Sequence, residues 1–230
     1  MSIFALGDTH LSFSVDKPMD IFGGWHDYVT RIENNWKAIV NEDDTVVIPG
    51  DISWAMSLED AKEDFAFLNA LPGKKLIMKG NHDYWWNTKK KMDRFIEENG
   101  FHSLFILHNN AYKAGDFVIT GSRGWFYDAE TSADKKVILR EASRLQRSID
   151  CAKELEGEII SFLHYPPVMS GQVCEEIFSV LKDNNISRCY FGHLHGEVAR
   201  NYVKETVDSV KLDLVSADFL NFCPKLIEKF

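Results

Sequence analysis

The sequence predicts an α/β protein in which sheets are sandwiched by helices, and three observations predict it. Short apolar runs alternate with longer stretches of helical periodicity. Each run is bounded by Gly, Pro, Asn or Asp, as a buried strand should be. Short polar clusters follow five of the runs, at the carboxyl ends where α/β sheets gather their ligand sites.

The clearest runs are Ile3–Leu6, Thr45–Pro49, Lys75–Met78, Phe117–Thr120, Ile159–Leu163 and Arg188–Phe191. Phe101–Leu107 and Ala111–Ala114 read as a further pair joined around Asn109-Asn110, and Val203–Val215 alternates loosely enough to hold one or two closing strands. Between them, Tyr28, Ile32, Trp36, Ile39 and Val40 share a face of a helix over about Trp25–Asn41. Leu58, Phe65, Leu68 and Leu71 mark a second helix, ending before Pro72-Gly73. A third carries Met92, Phe95 and Ile96 and stops at Asn99-Gly100, a left-handed exit. The longest runs from about Ala133 to Leu155, and another, with Ile177, Phe178 and Leu181, ends before Asn184-Asn185. There is no repeat, low-complexity stretch or linker, so residues 1–230 are expected to form one domain.

Composition narrows the class. The chain is 45% hydrophobic and 27% charged, ordinary for a soluble protein, and no window approaches the ~18 apolar residues of a membrane span. Met1–Gly7 has neither a basic region nor a small-residue cleavage site, so a signal peptide is not expected and a cytoplasmic location is. The four cysteines form no C-x-x-C pair and read as reduced thiols. A formal net charge of −9 argues against a nucleic-acid partner, which calls for a basic stripe. The one dense basic run, Lys89-Lys90-Lys91 with Arg94, is followed by Asp93, Glu97 and Glu98 and reads as a solvated helix face. Oligomeric state leaves no readable trace, and Phe219–Phe222 reads as core or interface.

The five polar clusters carry the chemistry. They are Asp8-Thr9-His10, Gly50-Asp51, Gly80-Asn81-His82-Asp83, His164-Tyr165-Pro166-Pro167 and Gly192-His193-Leu194-His195. Asp8 and His10, two apart on an extended strand end, project to the same side. Carboxylate with imidazole suits Mn, Fe or Zn better than Ca or Mg alone. Asp51 is the natural bridging ligand, because one carboxylate can touch two cations and reduce their repulsion. His26, His102 and His108 lie outside the clusters and read as structural or surface residues.

The order and spacing of the clusters resemble the metallophosphoesterase (calcineurin-like phosphoesterase) superfamily, in its small bacterial-type form, from Asp8 to His195. The resemblance implies a four-layer αββα sandwich with two divalent ions at the sheet edge, Mn²⁺ foremost and Fe, Zn, Ni or Co as alternatives. It implies that Asp8, His10 and His195 hold the first ion, and that Asn81, His164 and His193 hold the second, with Asp51 shared. Two ions about 3.5–4 Å apart can polarise a phosphoryl oxygen and supply a bridging hydroxide, so no Ser or Cys nucleophile is required. His82, next to a ligand, is expected to act as acid or charge stabiliser. Asp83 is expected to orient His82 or raise its pKa, or else to cap a helix starting near Trp86.

The expected activity is hydrolysis of a small-molecule phosphodiester. A phosphomonoesterase or protein phosphatase on the same site is the alternative, and a non-catalytic interaction module on the same fold a more distant one. Three aromatic segments flank the clusters: Ile52–Met56, Tyr84–Trp86 and Gly121–Tyr127. In these, Arg123 is a candidate for binding phosphate, and Trp54, Trp85 and Trp125 for stacking on a base or lining an acyl groove. The competing readings are an ion pair for Arg123 and core packing for the tryptophans.

Overall fold

The alternation of apolar runs and amphipathic stretches resolves into two facing sheets, each covered by helices. The computed structural model describes residues 1–126, 132–202 and 204–230, the side chains of 132–134 excepted. Tyr127 and Val203, placed above in an aromatic segment and at a strand start, lie outside the described residues.

The first sheet has β1 (Ser2–Ala5), β2 (Thr45–Ile48), β3 (Lys74–Ile77) and β4 (Leu104–Ile106) in parallel, in that order. A C-terminal strand, β13 (Lys225–Lys229), pairs antiparallel with β1 at the edge. In the second sheet, β6 (Phe117–Ser122), β7 (Glu158–Leu163), β10 (Arg188–Phe191) and β12 (Val210–Leu214) run parallel. β5 (Tyr112–Ala114) and β11 (Glu205–Val207) close its two edges antiparallel. A small ribbon, β8 (Val168–Met169) and β9 (Gln172–Val173), follows β7. The expected pairing of Phe101–Leu107 with Ala111–Ala114 is not formed. β4 joins β3 in one sheet and β5 joins β6 in the other, so the Asn109-Asn110 link, with Asn109 left-handed at φ 58°, crosses between sheets.

Side-chain alternation along the strands builds the layers. Ile3 and Ala5 of β1 face inward with Val47, Leu76, Ile119, Ile160 and Phe162 to form the core between the sheets. Phe4 and Leu6 face outward with Val46, Ile48 and Ile77. There they meet α1 (Tyr28–Ile39) through Ile32 and Trp36, α2 (Lys62–Ala70) through Phe65 and Leu68, and α3 (Lys89–Glu98) through Met92 and Phe95. On the other sheet, Leu163, Phe191 and Leu212 pack against α4 (Ser132–Lys153) through Leu145 and Ile149, and against α5 (Glu175–Asp183) through Ile177 and Phe178. Helices, two sheets and helices make the expected four-layer αββα sandwich. A short sixth helix, α6 (Gly196–Arg200), leaves the β10 cluster. α3 begins later than Trp86 and is capped by Thr88, whose side chain accepts from Lys91 N–H. Phe222 is buried against Trp25, which places that end of the Phe219–Phe222 stretch in the core, while Phe219 and Leu220 are half-buried. Among the described residues no helix is long and apolar enough to cross a membrane.

Candidate metal centre

Six loops converge on one edge of the sandwich. Three leave the carboxyl ends of β1, β2 and β3, and three leave those of β7, β10 and β12. A parallel bridge between Gly7 and Ser216 ties the sheets together there, with Gly7 N–H donating to the Val215 carbonyl at 2.7 Å. Each loop leaves a strand whose carboxyl-terminal residue is buried, which gives the rigidity a ligand site requires.

The loops bring all seven sequence-predicted ligands together. Asp8, His10 and His195 each offer a ligand atom within 4.8 Å of the others, and Asp51, His164 and His193 do the same. Asp51 stands between the two groups: its Oδ2 is 3.8 Å from His10 Nε2 and 3.5 Å from His164 Nε2. Asn81 Oδ1 lies 2.7 Å from His164 Nε2 and 2.9 Å from His193 Nδ1. Asp8, His10, Asp51 and His193 all adopt positive φ, at 59°, 45°, 49° and 71°. Such backbone costs about 1–3 kcal/mol per residue, and its clustering marks a site that the surrounding fold over-determines. Close approach is enforced as well: a side chain at Gly80 would run into the Asp51 carboxylate, and one at Gly192 into that of Asp8.

The donor set fits cations. His164 Nδ1 is 3.0 Å from the Pro49 carbonyl, so it carries the proton and Nε2 presents a lone pair. That lone pair faces Asn81 Oδ1, itself an acceptor. Burial, followed by the charge of His193, holds His164 well below its usual pKa, so protonation does not relieve the contact. The two acceptors converge as ligands of a shared cation would. Asp8, Asp51 and Asp83 are all buried at the same place. Burial, then the charges of Asp83 and Asp8, pushes the Asp51 carboxyl well above its ordinary range, an excess of buried negative charge that bound cations would neutralise.

His195 is oriented by a residue that the sequence clusters do not contain. Its Nδ1 pairs with Asp218 Oδ1 at 2.8 Å, and Gly196 N–H donates to Asp218 Oδ2 at 2.8 Å. This leaves His195 Nε2 facing Asp8 Oδ1 at 3.3 Å, the carboxylate–imidazole arrangement that fixes a ligand's tautomer. Burial disfavours the charged ring, but Asp8 and Asp218 outweigh it and push its pKa up to about 10. Asp218 follows the apolar run that ends at Val215, the same strand-then-polar pattern as the five clusters, and that was its one signal in the sequence.

His82 stands at the rim of this centre. Its backbone N–H donates to Asp51 Oδ1 at 2.8 Å, while its ring packs 4.4 Å from that of Trp54. Burial, then the charge of His195, lowers its pKa. Asp83 is engaged elsewhere. It accepts from Ile52 N–H at 2.9 Å, Ser53 N–H at 3.2 Å, Trp85 Nε1–H at 3.0 Å and Gly80 N–H at 2.7 Å. It neither caps α3 nor hydrogen-bonds the His82 ring. Instead it clamps the loop carrying Asn81 to the loop carrying Asp51.

The candidate substrate residues separate. Trp54 is half-buried, stacks on His10 with centroids 5.0 Å apart, and borders a cavity of about 430 Å³ beside the centre. Trp85 is buried in the helix-side core against Phe65. Trp125 lies under the Arg123 guanidinium, 4.6 Å from it, and against Tyr165. Arg123 also pairs with buried Glu141 at 3.5 Å, and its carbonyl accepts from the His164 and Tyr165 N–H groups. Met19, Phe22 and Trp25 complete the cavity, and nothing in the sequence pattern singled them out.

The family model described as calcineurin-like phosphoesterase matches residues 1–197. No curated protein matches the chain. Similar solved structures include the protein TT1561 of Thermus thermophilus, 11% identical, with a TM-score of 0.60, covering 98% of this chain and 97% of that one. Another is a protein of unknown function, AQ665 from Aquifex aeolicus, 15% identical, with a TM-score of 0.53 and coverages of 98% and 95%. A third is the phosphopantetheinyl hydrolase PptH from Mycobacterium tuberculosis, 12% identical, with a TM-score of 0.54 and coverages of 98% and 95%. At these identities the likeness is one of fold.

Proposed function

Because the chain belongs to the calcineurin-like phosphoesterase family, we propose that it hydrolyses a phosphodiester of a small molecule with two divalent cations, Mn²⁺ foremost. The observation that carries this reading is the convergence of two Asp/His groups on Asp51, which lies within 3.8 Å of an imidazole nitrogen of each. Asp8, His10 and His195 would hold one cation, Asn81, His164 and His193 the other, and Asp51 would reach both. When bound, the cations supply Lewis-acid polarisation of the phosphoryl group and lower the pKa of water at the site.

The chain's own groups do the rest. Asp218 holds the His195 ring so that Nε2 points into the site. Asp83 keeps the Asp51 and Asn81 loops in register through its four N–H bonds, and so acts as a positioning residue. His82 lies beyond the ligands, where its ring can pass a proton to the oxygen of the departing alcohol. Of the residues lining the cavity next to His82, Arg200 is the one Arg or Lys, with Lys17 above the Trp54 ring, which suits the single charge of a diester better than the double charge of a monoester.

The test is metal content and rate on the Mn²⁺-loaded protein, with an aryl phosphodiester and the matching monoester. Two equivalents of metal and preferential diester cleavage are expected. Asp51→Asn should lose metal, whereas His82→Ala should keep it and lose about 10²–10⁴-fold in rate. A folded protein that takes up neither Mn²⁺ nor Zn²⁺, or one that prefers the monoester, would overturn the proposal.

A further inference from the structure

The cavity beside the metal centre has two unlike halves. Its floor is polar and belongs to the centre: His10, His82 and His195. Its walls are hydrocarbon and aromatic, made by Met19, Phe22, Trp25 and Trp54. Trp25 and Trp54 also pack on the floor. Trp25 sits edge-on to His10 at 5.7 Å and to His195 at 5.6 Å, and Trp54 stacks on His10. The Trp54 indole N–H is turned to Met19 Sδ at 3.4 Å, so the wall presents carbon to the cavity. Phe22 at the rim is 53% exposed and its neighbour Ile21 75%, an apolar lip with nothing covering it among the described residues. Exposed Arg200, which forms no ion pair among the described residues, and Lys17, whose Nζ stands 5.9 Å over the Trp54 ring, supply positive charge at the rim.

We propose that this cavity receives the leaving alcohol of the substrate, and that the alcohol is mainly hydrocarbon, aryl or alkyl, rather than a sugar or a nucleoside. The inference rests on the phosphohydrolase reading and adds the substrate class to it. In that hydrolysis the P–O bond to the alcohol breaks, water gives its hydroxyl to phosphorus, and the leaving oxygen takes up a proton on the His82 side. The departing group therefore lies where the cavity opens. A nucleobase there would bury several donors and acceptors, and the one charged lining residue outside the centre is Arg200 at the rim, which leaves most of them unmet, a costly mismatch. A hydrocarbon body loses nothing by the same burial and gains by leaving water. Arg200 at the rim draws in the anionic ester without reading its alcohol.

The test uses Mn²⁺-loaded protein and methyl phosphodiesters whose second alcohol is methanol, hexanol, 2-phenylethanol or the 5′-hydroxyl of thymidine, with alcohol release read by chromatography. The hexyl and phenylethyl esters should exceed the methyl and thymidine esters by at least about tenfold in kcat/KM. Phe22→Ser should shrink that advantage to about threefold or less, through KM. Calorimetric titration gives an independent readout: hexyl phosphate should bind at least about tenfold more tightly than methyl phosphate, with a more negative heat-capacity change. An active enzyme with equal or reversed preference would overturn this inference and leave the phosphohydrolase reading standing. If the metal-loaded protein cleaves none of the esters, both fall.

Discussion

The two sides of the centre are built by different means. The ligand side uses residues one to five positions beyond a strand, each anchored to a sheet buried on both faces, and it holds four left-handed non-glycine residues. The cavity side uses the long connection between β1 and α1, where Met19, Phe22 and Trp25 sit in a short 3₁₀ turn and loop. One side is rigid because metal chemistry tolerates little misplacement. The other is free to vary because an apolar wall needs only shape, and one framework can thereby keep a reaction while changing its substrate.

The sharpest way to break the ligand side is to add one methyl group. Gly80→Ala drives a carbon into the Asp51 carboxylate, and Gly192→Ala does the same to Asp8. Each should cost about 10²-fold or more in rate, because a displacement near 1 Å is enough for that. Metal analysis should show lost Mn²⁺ while circular dichroism keeps the native spectrum. A fully metallated, fully active Gly192→Ala protein would show that the site tolerates displacement after all. Asp218→Asn is gentler. It keeps an oxygen for His195 but removes the charge and one acceptor, so Mn²⁺ should bind about 10–100-fold more weakly with little change in melting temperature. Unchanged affinity would make Asp218 a mere helix-end partner of Gly196.

A third comparison sets two tryptophans against each other. Trp85→Phe removes the indole bond to buried Asp83 and should destabilise the fold by about 1–3 kcal/mol in urea unfolding. Trp54→Phe should shift the unfolding midpoint less and act mainly on KM, because half-buried Trp54 lines the cavity and only flanks the helix-side core. If Trp54→Phe proves the more destabilising of the two, the division between core and cavity fails.

These contrasts also explain what the sequence could show. The convergence of the seven candidate ligands was legible because each sits a few positions after an apolar run, so sequence proximity stood in for spatial proximity. The αββα layering followed from the same runs once the clusters revealed the family. The β4/β5 pairing was not legible: two apolar stretches joined through Asn109-Asn110 look like a hairpin whichever sheet each one enters. Trp54, Trp85 and Trp125 look alike in sequence, and what separates them is one bond to Asp83 and one cation stacked on an indole face. Met19, Phe22 and Trp25 carry no period and no charge, so only the folded chain shows that they meet. β13, with Lys225, Glu228 and Lys229 in a five-residue strand, lacks the apolar signature because it is an edge.

The smallest expected effect belongs to the basic run on α3. Lys90 and Lys91 are exposed, and Lys89 pairs with Asp93 at 2.7 Å one turn on, with both side chains partly in water. Such a pair contributes about 0.3–0.5 kcal/mol after solvent screening. Lys90→Ala and Lys91→Ala should leave rate and KM as they are, and Lys89→Ala should shift only the unfolding midpoint, within that range. The outcome sharpens the contrast between the two sides of the site, because it asks whether a third surface takes part. In a chain of net charge −9, three adjacent lysines are a place where a polyanionic substrate could gain a foothold outside the cavity. A rise in KM for any of the three that disappears at high salt would mean that the substrate extends along α3, and that the hydrocarbon cavity holds only one end of it.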